Sequence, residues 1–273
     1  MKTLRYILLL GLWATCAHGA PAETPPPAQT PAAEMPAAAA DPEQDTVALL
    51  RASPAAADAQ ELTVDGKPVL ALLRDETLGQ PQGGVLLLHD TGAHADWPGV
   101  IGTLRQTLPQ YGWTTLSLQL PPPEAAAAAE QTPARVRAAL ALLAGKNIRN
   151  IILLGHGSGA LAALRYAADN RGAVNGLILV AMGPVDDAAL LNSANVPIYD
   201  IYGSAESLEV LRAGALRLQE GRRMVRQDGA ELPRYRQFVV EGADHFFGEQ
   251  TDILQRRVRG WLKTHAGGME ITQ

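Results

Sequence analysis

Short apolar runs and amphipathic stretches alternate along residues 60–266 and predict strands and helices in turn. Apolar runs typical of buried parallel strands lie at 85–89, 113–118, 151–154, 177–182, 198–202 and 238–241. Apolar residues at helical spacing fill the gaps, at 100–108, from 132 onward, and at 161–168, 185–191, 206–226 and 249–264. Two earlier runs, 61–64 and 69–74, flank Asp65-Gly66, which is a type I′ turn signal and predicts a β-hairpin.

This alternation predicts the architecture of the chain. Strand followed by helix, repeated over about 200 residues, is typical of a doubly wound α/β fold. We therefore expect a mostly parallel central sheet that opens with an antiparallel hairpin and carries helices on both faces. In such sheets, functional residues lie beyond the carboxyl ends of the strands.

The first 19 residues have the pattern of a signal peptide. Lys2 and Arg5 precede an apolar stretch at 6–13, and small residues follow at 17–19. An uncleaved anchor is the alternative, but the apolar stretch is too short to cross a bilayer. We expect cleavage near Ala20 or Glu23 and export to the periplasm.

Residues 20–59 differ in composition from the rest of the chain. They contain 15 alanines and eight prolines, which offer little to bury and few backbone donors. We predict an extended tether, with a short helix near 46–51 as the alternative. The folded domain is then 60–266, and 267–273 is a disordered tail.

Composition limits the classes of partner and chemistry. With 23 basic and 28 acidic residues the net charge is −5, a poor match to nucleic acid. No run of 18 apolar residues is present, so stable membrane insertion after cleavage is not expected. Cys16 is the only cysteine and lies in the predicted signal peptide, which excludes a disulfide or a thiolate nucleophile in the mature chain.

Four of the six histidines follow predicted strands. His89 and His94 come after the run at 85–89, His156 after 151–154, and His245 after 238–241. Because the carboxyl ends of parallel strands meet at one edge of the sheet, we expect a functional site there.

Four motifs at these positions resemble the α/β-hydrolase superfamily. Gly155-His156-Gly157-Ser158-Gly159 resembles the nucleophile elbow, a strand–turn–helix motif with small residues around the nucleophile. His89-Asp90-Thr91-Gly92 resembles the loop that carries the oxyanion hole. Glu206, after the strand at 198–202, lies in the segment that resembles the one delivering the catalytic acid. His245, within 241–247, lies in the loop that resembles the one delivering the catalytic histidine.

The order of elbow, acid and histidine is also that of the superfamily. More narrowly, the signal peptide, the Ala/Pro tether and residues 94–98 resemble an uncharacterised family of exported bacterial α/β-hydrolase-like proteins. Many superfamily members insert a cap domain after the strand equivalent to 177–182. Here only 15 residues, 183–197, precede the next strand, so no cap is expected.

The elbow departs from the superfamily at its centre. With Gly155 and Gly159 as the flanking small residues, the nucleophile position holds Gly157, which accepts the positive φ of an elbow without strain. Ser158 lies one residue later, where it is expected to cap the following helix. If Ser158 were the centre instead, His156 would take a position that needs a small residue.

The resemblance implies a catalytic set of Ser158, His245 and Glu206, with His245 as base and Glu206 orienting it. Glu206 has an alternative as a solvated acid in the first turn of a helix, and Asp200 is a rival orienter. Asp90 stands where the superfamily has Gly after the histidine. A carboxylate there opposes a developing oxyanion unless it points away.

Two functions follow from these residues. The first is a pseudoenzyme or binding protein of the cell envelope, with an unidentified small-molecule or envelope ligand. The alternative is a serine hydrolase acting on esters through Ser158, His245 and Glu206. No cofactor or metal is predicted, since the weaker idea of a zinc site at His89, His94, His156 and Asp96 lacks a recognisable ligand spacing.

Overall fold

A computed structural model describes residues 41–123, 128–224 and 234–266, and its centre is one sheet of eight strands. The strands are β1 Ala59–Val64, β2 Lys67–Arg74, β3 Gly83–Leu88, β4 Trp113–Leu118, β5 Ile151–His156, β6 Gly176–Val180, β7 Ile198–Gly203 and β8 Tyr235–Val240. Their order in space is β1-β2-β4-β3-β5-β6-β7-β8. β2 pairs antiparallel with β1 and β4, and every other pair is parallel.

Seven α-helices accompany these strands in the described part of the chain. They are α1 Pro42–Arg51, α2 Ile101–Thr107, α3 Ala128–Gly145, α4 Ser158–Asp169, α5 Leu190–Ser193, α6 Leu208–Arg223 and α7 Thr251–His265. Short 3-10 helices occupy Pro54–Asp58 and Leu108–Tyr111. None of the described helices is long and apolar enough to cross a membrane.

The sheet is covered on both faces, as the apolar runs predicted. Successive residues of a strand point to opposite faces, so Val85 and Leu87 of β3 pack in one core with residues of α2 and α7. Leu86 and Leu88 pack in the other core with residues of α3 and α4. The predicted α/β fold with an open, mostly parallel sheet is confirmed.

The predicted hairpin is also present. Asp65 and Gly66 link β1 to β2 with φ values of 49° and 76°. Two consecutive positive φ angles are what a type I′ turn requires, and Gly adopts one without strain.

The N-terminal boundary of the folded part differs from the prediction. The described residues begin at Asp41, whose carboxylate accepts a hydrogen bond of 3.0 Å from the Glu43 backbone and caps α1. Leu50 is 2% exposed and Ala55 is 3% exposed, so this segment packs on the domain. The tether prediction is therefore wrong for 41–59, and the alternative of a short helix near 46–51 corresponds to α1. Residues 1–40 and 267–273, which hold the predicted signal peptide and tail, lie outside the described residues.

Ion pairs add to this docking. Glu43 of α1 pairs with Arg135 of α3, and Asp58 pairs with Arg105 of α2. Both arginine side chains are buried, and buried charges are stable in a protein when they are paired. The Ala/Pro-rich composition of this segment therefore gave no indication that Glu43 and Asp58 attach it to the domain.

Two helices begin or end away from the predicted positions. The described part of α3 starts at Ala128, and the hydroxyl of Thr132 donates to the Ala128 carbonyl at 3.0 Å, so Thr132 lies inside the helix and does not cap it. The helix predicted at 185–191 is instead the four-residue helix α5 at Leu190–Ser193, and it is the only helix in the described segment between β6 and β7.

Candidate active site

The elbow joins β5 to α4 and is centred on Gly157. This residue has φ 55° and ψ −118°, so the predicted positive φ is present. A Cβ on Gly155 would overlap the backbone of Gly159 and Ala160, and a Cβ on Gly159 would overlap the His89 carbonyl. Because both flanking positions exclude a side chain, the nucleophile position of the elbow is occupied by Gly157.

The space above Gly157 is filled by the carboxylate of Asp90. A Cβ built on Gly157 would overlap all three carboxylate atoms of Asp90. Oδ1 of Asp90 accepts hydrogen bonds from the backbone N–H groups of Thr91 at 2.8 Å and Ser158 at 2.7 Å. Two backbone donors that converge on one oxygen have the form of an oxyanion hole. Asp90 therefore occupies both the nucleophile position and this hole.

His245 lies between two carboxylates. Its Nε2 is 2.9 Å from Oδ2 of Asp90, and its Nδ1 is 3.0 Å from Oε1 of Glu206. Glu206 follows β7 and is only 8% exposed, so it is not the solvated first-turn acid that the sequence allowed. The structure brings His245 and Glu206 together, as the resemblance implied.

The charges of this cluster reinforce one another. Hydrogen bonds to Asp90 and then to Glu206 raise the pKa of His245 to about 10. Burial favours the neutral acid of Asp90, but hydrogen bonds from His245 and Ser158 outweigh burial and hold its pKa well below its usual range. At neutral pH the cluster is therefore an imidazolium that donates one N–H to each carboxylate.

Ser158 lies beside this cluster as the first residue of α4. Its Oγ accepts hydrogen bonds from the backbone N–H and the hydroxyl of Thr91, both at 2.8 Å. The predicted capping role is wrong, because the cap residue of α4 is Gly157 and no side chain caps the helix. Asp90, and not Ser158, is the hydrogen-bond partner of His245 Nε2.

His89 supports the loop that carries Asp90. Its Nδ1 donates to the Asp90 carbonyl at 2.7 Å, and its Nε2 accepts from the Leu120 backbone N–H at 3.0 Å. Burial lowers the pKa of His89 to about 4, so the ring is neutral. One donor and one acceptor fix a single tautomer, which holds the loop in place. Thr91 and Gly92 of this loop line a cleft beside Ser158.

His156 ends β5 behind the cluster and is 1% exposed. Its Nε2 donates to the His245 carbonyl at 2.9 Å, and the centroids of the two rings are 4.7 Å apart. Burial, followed by the nearby His245, lowers the pKa of His156 to about 4. Its Nδ1 has no hydrogen-bond partner among residues 41–123, 128–224 and 234–266.

The zinc site that the sequence suggested is not formed, because its three histidines and Asp96 do not come together. The ring of His94 packs edge-on against Trp97, and Asp96 pairs with Arg105. Both ring nitrogens of His89 are already hydrogen-bonded. A different set does converge: Asp90, His156 and His245 each offer a ligand atom, and these atoms lie within 4.8 Å of one another.

Asp200, the rival orienter, faces away from the site. It is fully buried in β7, where its carboxylate binds Arg217 Nε at 2.8 Å and the Tyr235 hydroxyl at 2.6 Å. These partners lie on α6 and β8 and use both carboxylate oxygens.

A cleft of about 370 Å³ opens beside Asp90 and Ser158. Pro42 and Thr46 of α1 form part of its wall, and the Pro121–Pro123 stretch forms another part. Composition assigns the residues of α1 to the predicted tether, with a short helix near 46–51 only as the alternative. The residues Asp41-Pro42 indicate the start of α1, because Asp is favoured at a helix N-cap and Pro at the first helical position.

The model of a family described as "Protein of unknown function (DUF3530)" matches residues 2–134 and 122–264. Together these two matches cover nearly the whole chain. The chain belongs to the DUF3530 family. A comparison with curated proteins finds no match to this DUF3530 sequence.

Solved structures show the fold of this DUF3530 protein to be that of α/β-hydrolases. Est1E from Butyrivibrio proteoclasticus is 13% identical, with a TM-score of 0.64 over 76% of this chain and 98% of Est1E. An esterase from Pyrococcus furiosus is 14% identical, with a TM-score of 0.63 over 77% of this chain and 91% of the esterase. An α/β serine hydrolase homologue from Coxiella burnetii is 16% identical, with a TM-score of 0.61 over 75% of this chain and 96% of the homologue.

Proposed function

We propose that this DUF3530 protein is a ligand-binding α/β-hydrolase-fold protein of the cell envelope that does not hydrolyse esters through a serine. One observation carries the proposal. The carboxylate of Asp90 lies in the space that a nucleophile side chain at 157 would need, and one of its oxygens accepts both backbone donors of the hole.

A carboxylate in this place opposes acyl transfer in two ways. The carbonyl oxygen of an ester substrate would have to displace Oδ1 of Asp90 from the N–H groups of Thr91 and Ser158. The negative charge of Asp90 would also destabilise an oxyanion that developed beside it. His245 is engaged on both ring nitrogens, so it has no free acceptor for the proton of Ser158.

The cleft beside Asp90 and Ser158 is the candidate binding site. Its lining residues include Thr91, Ser158 and Thr132 together with the Pro121–Pro123 stretch. A concave site with a few polar groups is typical of small-molecule binding. The predicted signal peptide supports a periplasmic location, and a net charge of −5 argues against a nucleic-acid partner.

A set of four variants tests the loss of serine chemistry. We compare the native chain with Asp90→Gly, Gly157→Ser and the double variant, using a fluorophosphonate probe and p-nitrophenyl acetate. Gly157→Ser alone should stay inactive because its Cβ overlaps Asp90, and Asp90→Gly alone still lacks a nucleophile. Only the double variant should be labelled, since it restores the nucleophile beside His245 and empties the hole.

The matched control is Asp90→Gly combined with Gly157→Ala, which fills the same space without a hydroxyl. Both double variants place a side chain at positive φ and should lose stability by about 1–3 kcal/mol. Labelling of the first double variant alone supports the proposal. A native chain that hydrolyses the ester strongly, and loses this activity with Ser158→Ala, contradicts it in favour of the serine hydrolase.

A further inference from the structure

Three side chains around the elbow converge on one small volume. We propose that Asp90, His156 and His245 form a binding site for a divalent transition-metal ion such as Zn²⁺. This deepens the proposed binding function, on which it rests, by naming a class of ligand for the same site. The residues come from three different elements: the loop after β3, the end of β5, and the loop after β8.

The distances between the ligand atoms are close to those of a coordinated ion. One ligand atom from each residue lies within 4.8 Å of the other two, and Asp90 Oδ2 is 2.9 Å from His245 Nε2. Nitrogen and oxygen ligands about 2.0–2.1 Å from a tetrahedral ion lie roughly 3.4 Å from one another. Changes of up to about 1.4 Å in these distances would bring the atoms to that spacing around an ion, which would replace the proton between Asp90 and His245.

Each of the three residues already has the outer partner that a metal ligand needs. Nδ1 of His245 binds the Glu206 carboxylate, and Nε2 of His156 donates to the His245 carbonyl. Oδ1 of Asp90 is held by two backbone N–H groups. Metal-binding histidines commonly donate their second nitrogen to a carboxylate or a backbone carbonyl, which orients the ring.

An independent observation comes from the orphan nitrogen of His156. The residue is 1% exposed, and its Nδ1 lacks a hydrogen-bond partner within the described ranges. Because Nε2 donates a proton, Nδ1 carries a lone pair, and a buried lone pair without a donor is unfavourable. A metal ion coordinated by Nδ1 would satisfy this lone pair.

The donor set also indicates which metals fit. Two imidazole nitrogens and one carboxylate oxygen suit Zn²⁺ and neighbouring first-row ions more than Mg²⁺ or Ca²⁺, which prefer oxygen ligands. Three protein ligands leave one position of a tetrahedral ion for water or a bound molecule.

The test uses the mature chain without a His-tag, treated with a chelator and dialysed. Zn²⁺ titration by calorimetry should give one site per chain, and Co²⁺ should give the visible absorption of a nitrogen- and oxygen-ligated ion. Asp90→Asn, His156→Gln and His245→Gln should each weaken Zn²⁺ binding at least about 10-fold. His94→Gln and His265→Gln lie outside the cluster and should bind Zn²⁺ like the native chain.

His156 is buried, so His156→Gln needs a circular dichroism spectrum to show that it folds. Glu206→Gln is a second variant that alters only the outer partner of His245, and it should weaken Zn²⁺ binding about 10- to 100-fold. Absence of stoichiometric Zn²⁺ and Co²⁺ binding overturns the proposal. So does binding that the Asp90, His245 and Glu206 variants leave unchanged.

The metal site and the proposed function can fail separately. Fluorophosphonate labelling of native Ser158 would contradict the loss of serine chemistry, whatever the chain does with Zn²⁺. An unlabelled chain that also binds no metal would remove the metal site and leave the loss of serine chemistry intact.

Discussion

Two clusters of charged side chains, one around Asp200 and one around His245, both contain carboxylates but lie at different positions relative to the strands. Asp200 in the middle of β7 is fully buried with Arg217 and Tyr235. Asp90 and Glu206 lie beyond the ends of β3 and β7 and hold His245, whose side chain is 28% exposed. The first cluster is enclosed between the sheet and α6, whereas the second is partly open to solvent.

The difference shows how position along a strand determines the role of a carboxylate. A side chain in the middle of a strand of this sheet faces a covering helix, so the charge of Asp200 serves to join β7, α6 and β8. A side chain beyond the strand end reaches the cleft, where ligands bind in this class of fold. The partners of these carboxylates also differ. The partner of Asp200 is an arginine, which stays charged, whereas the partner of Asp90 and Glu206 is a histidine, a residue type that can lose its proton and bind a metal ion instead.

The largest effect is expected at the enclosed cluster. Arg217→Met should lower the free energy of unfolding by about 3–5 kcal/mol, because it leaves the buried Asp200 carboxylate without its cation. Urea unfolding measures the change. Arg222→Met, at an exposed position of the same helix, is the control and should change it little. A loss below about 1 kcal/mol would mean that the pair contributes less than burial implies.

An intermediate effect is expected at Arg105, which pairs with Asp58 and Asp96. Arg105→Met should lower the free energy of unfolding by about 1.5–3 kcal/mol. The loss is smaller than at Arg217 because the side chains of Asp58 and Asp96 are 14% and 20% exposed and can be hydrated. Urea unfolding again provides the measurement.

The control for Arg105 is Arg51→Met, which removes an exposed pair with Glu61 and should cost less than about 1 kcal/mol. Equal losses in the two variants would contradict a ranking by burial. They would also argue against the docking of residues 41–59, since Asp58 belongs to that segment.

The smallest effect is expected at Ser158. Ser158→Ala removes an acceptor for two hydrogen bonds from Thr91 at an exposed position and should cost about 0.5–1.5 kcal/mol. It should leave the rate of p-nitrophenyl acetate hydrolysis at the level of the native chain. The matched control is Ser193→Ala in α5, which is remote from the cleft. A selective loss of hydrolysis in the first variant would identify Ser158 as a nucleophile.

The sheet could be predicted because its signals are local. The strand cores are apolar runs, the hairpin turn is Asp65-Gly66, and the elbow register follows from Gly155 and Gly159, where a Cβ would overlap backbone. Each of these depends on residues close together in the chain. Periodicity and turn chemistry are therefore sufficient to identify them.

Two features depend on distant contacts: the helix α1, which was predicted only as the alternative to a tether, and the direction of the Asp90 side chain, which was not predicted. The helix α1 is fixed by the burial of Leu50 and by the pair between Glu43 and Arg135, which lie 92 residues apart. The carboxylate of Asp90 turns into the elbow because the backbone of Ser158, 68 residues later, donates to it. Composition and spacing contain no information on which way such a side chain points.

The overlap between a side chain at 157 and the Asp90 carboxylate also affects how this kind of site and that of a serine hydrolase could evolve into one another. A serine at 157 requires the Asp90 carboxylate to leave its present position, and a glycine at 90 leaves an elbow without a nucleophile. We expect neither exchange alone to give a serine hydrolase, so the effects of the two positions should be epistatic. Under the proposed function, an evolutionary path between the two kinds of site would need both exchanges.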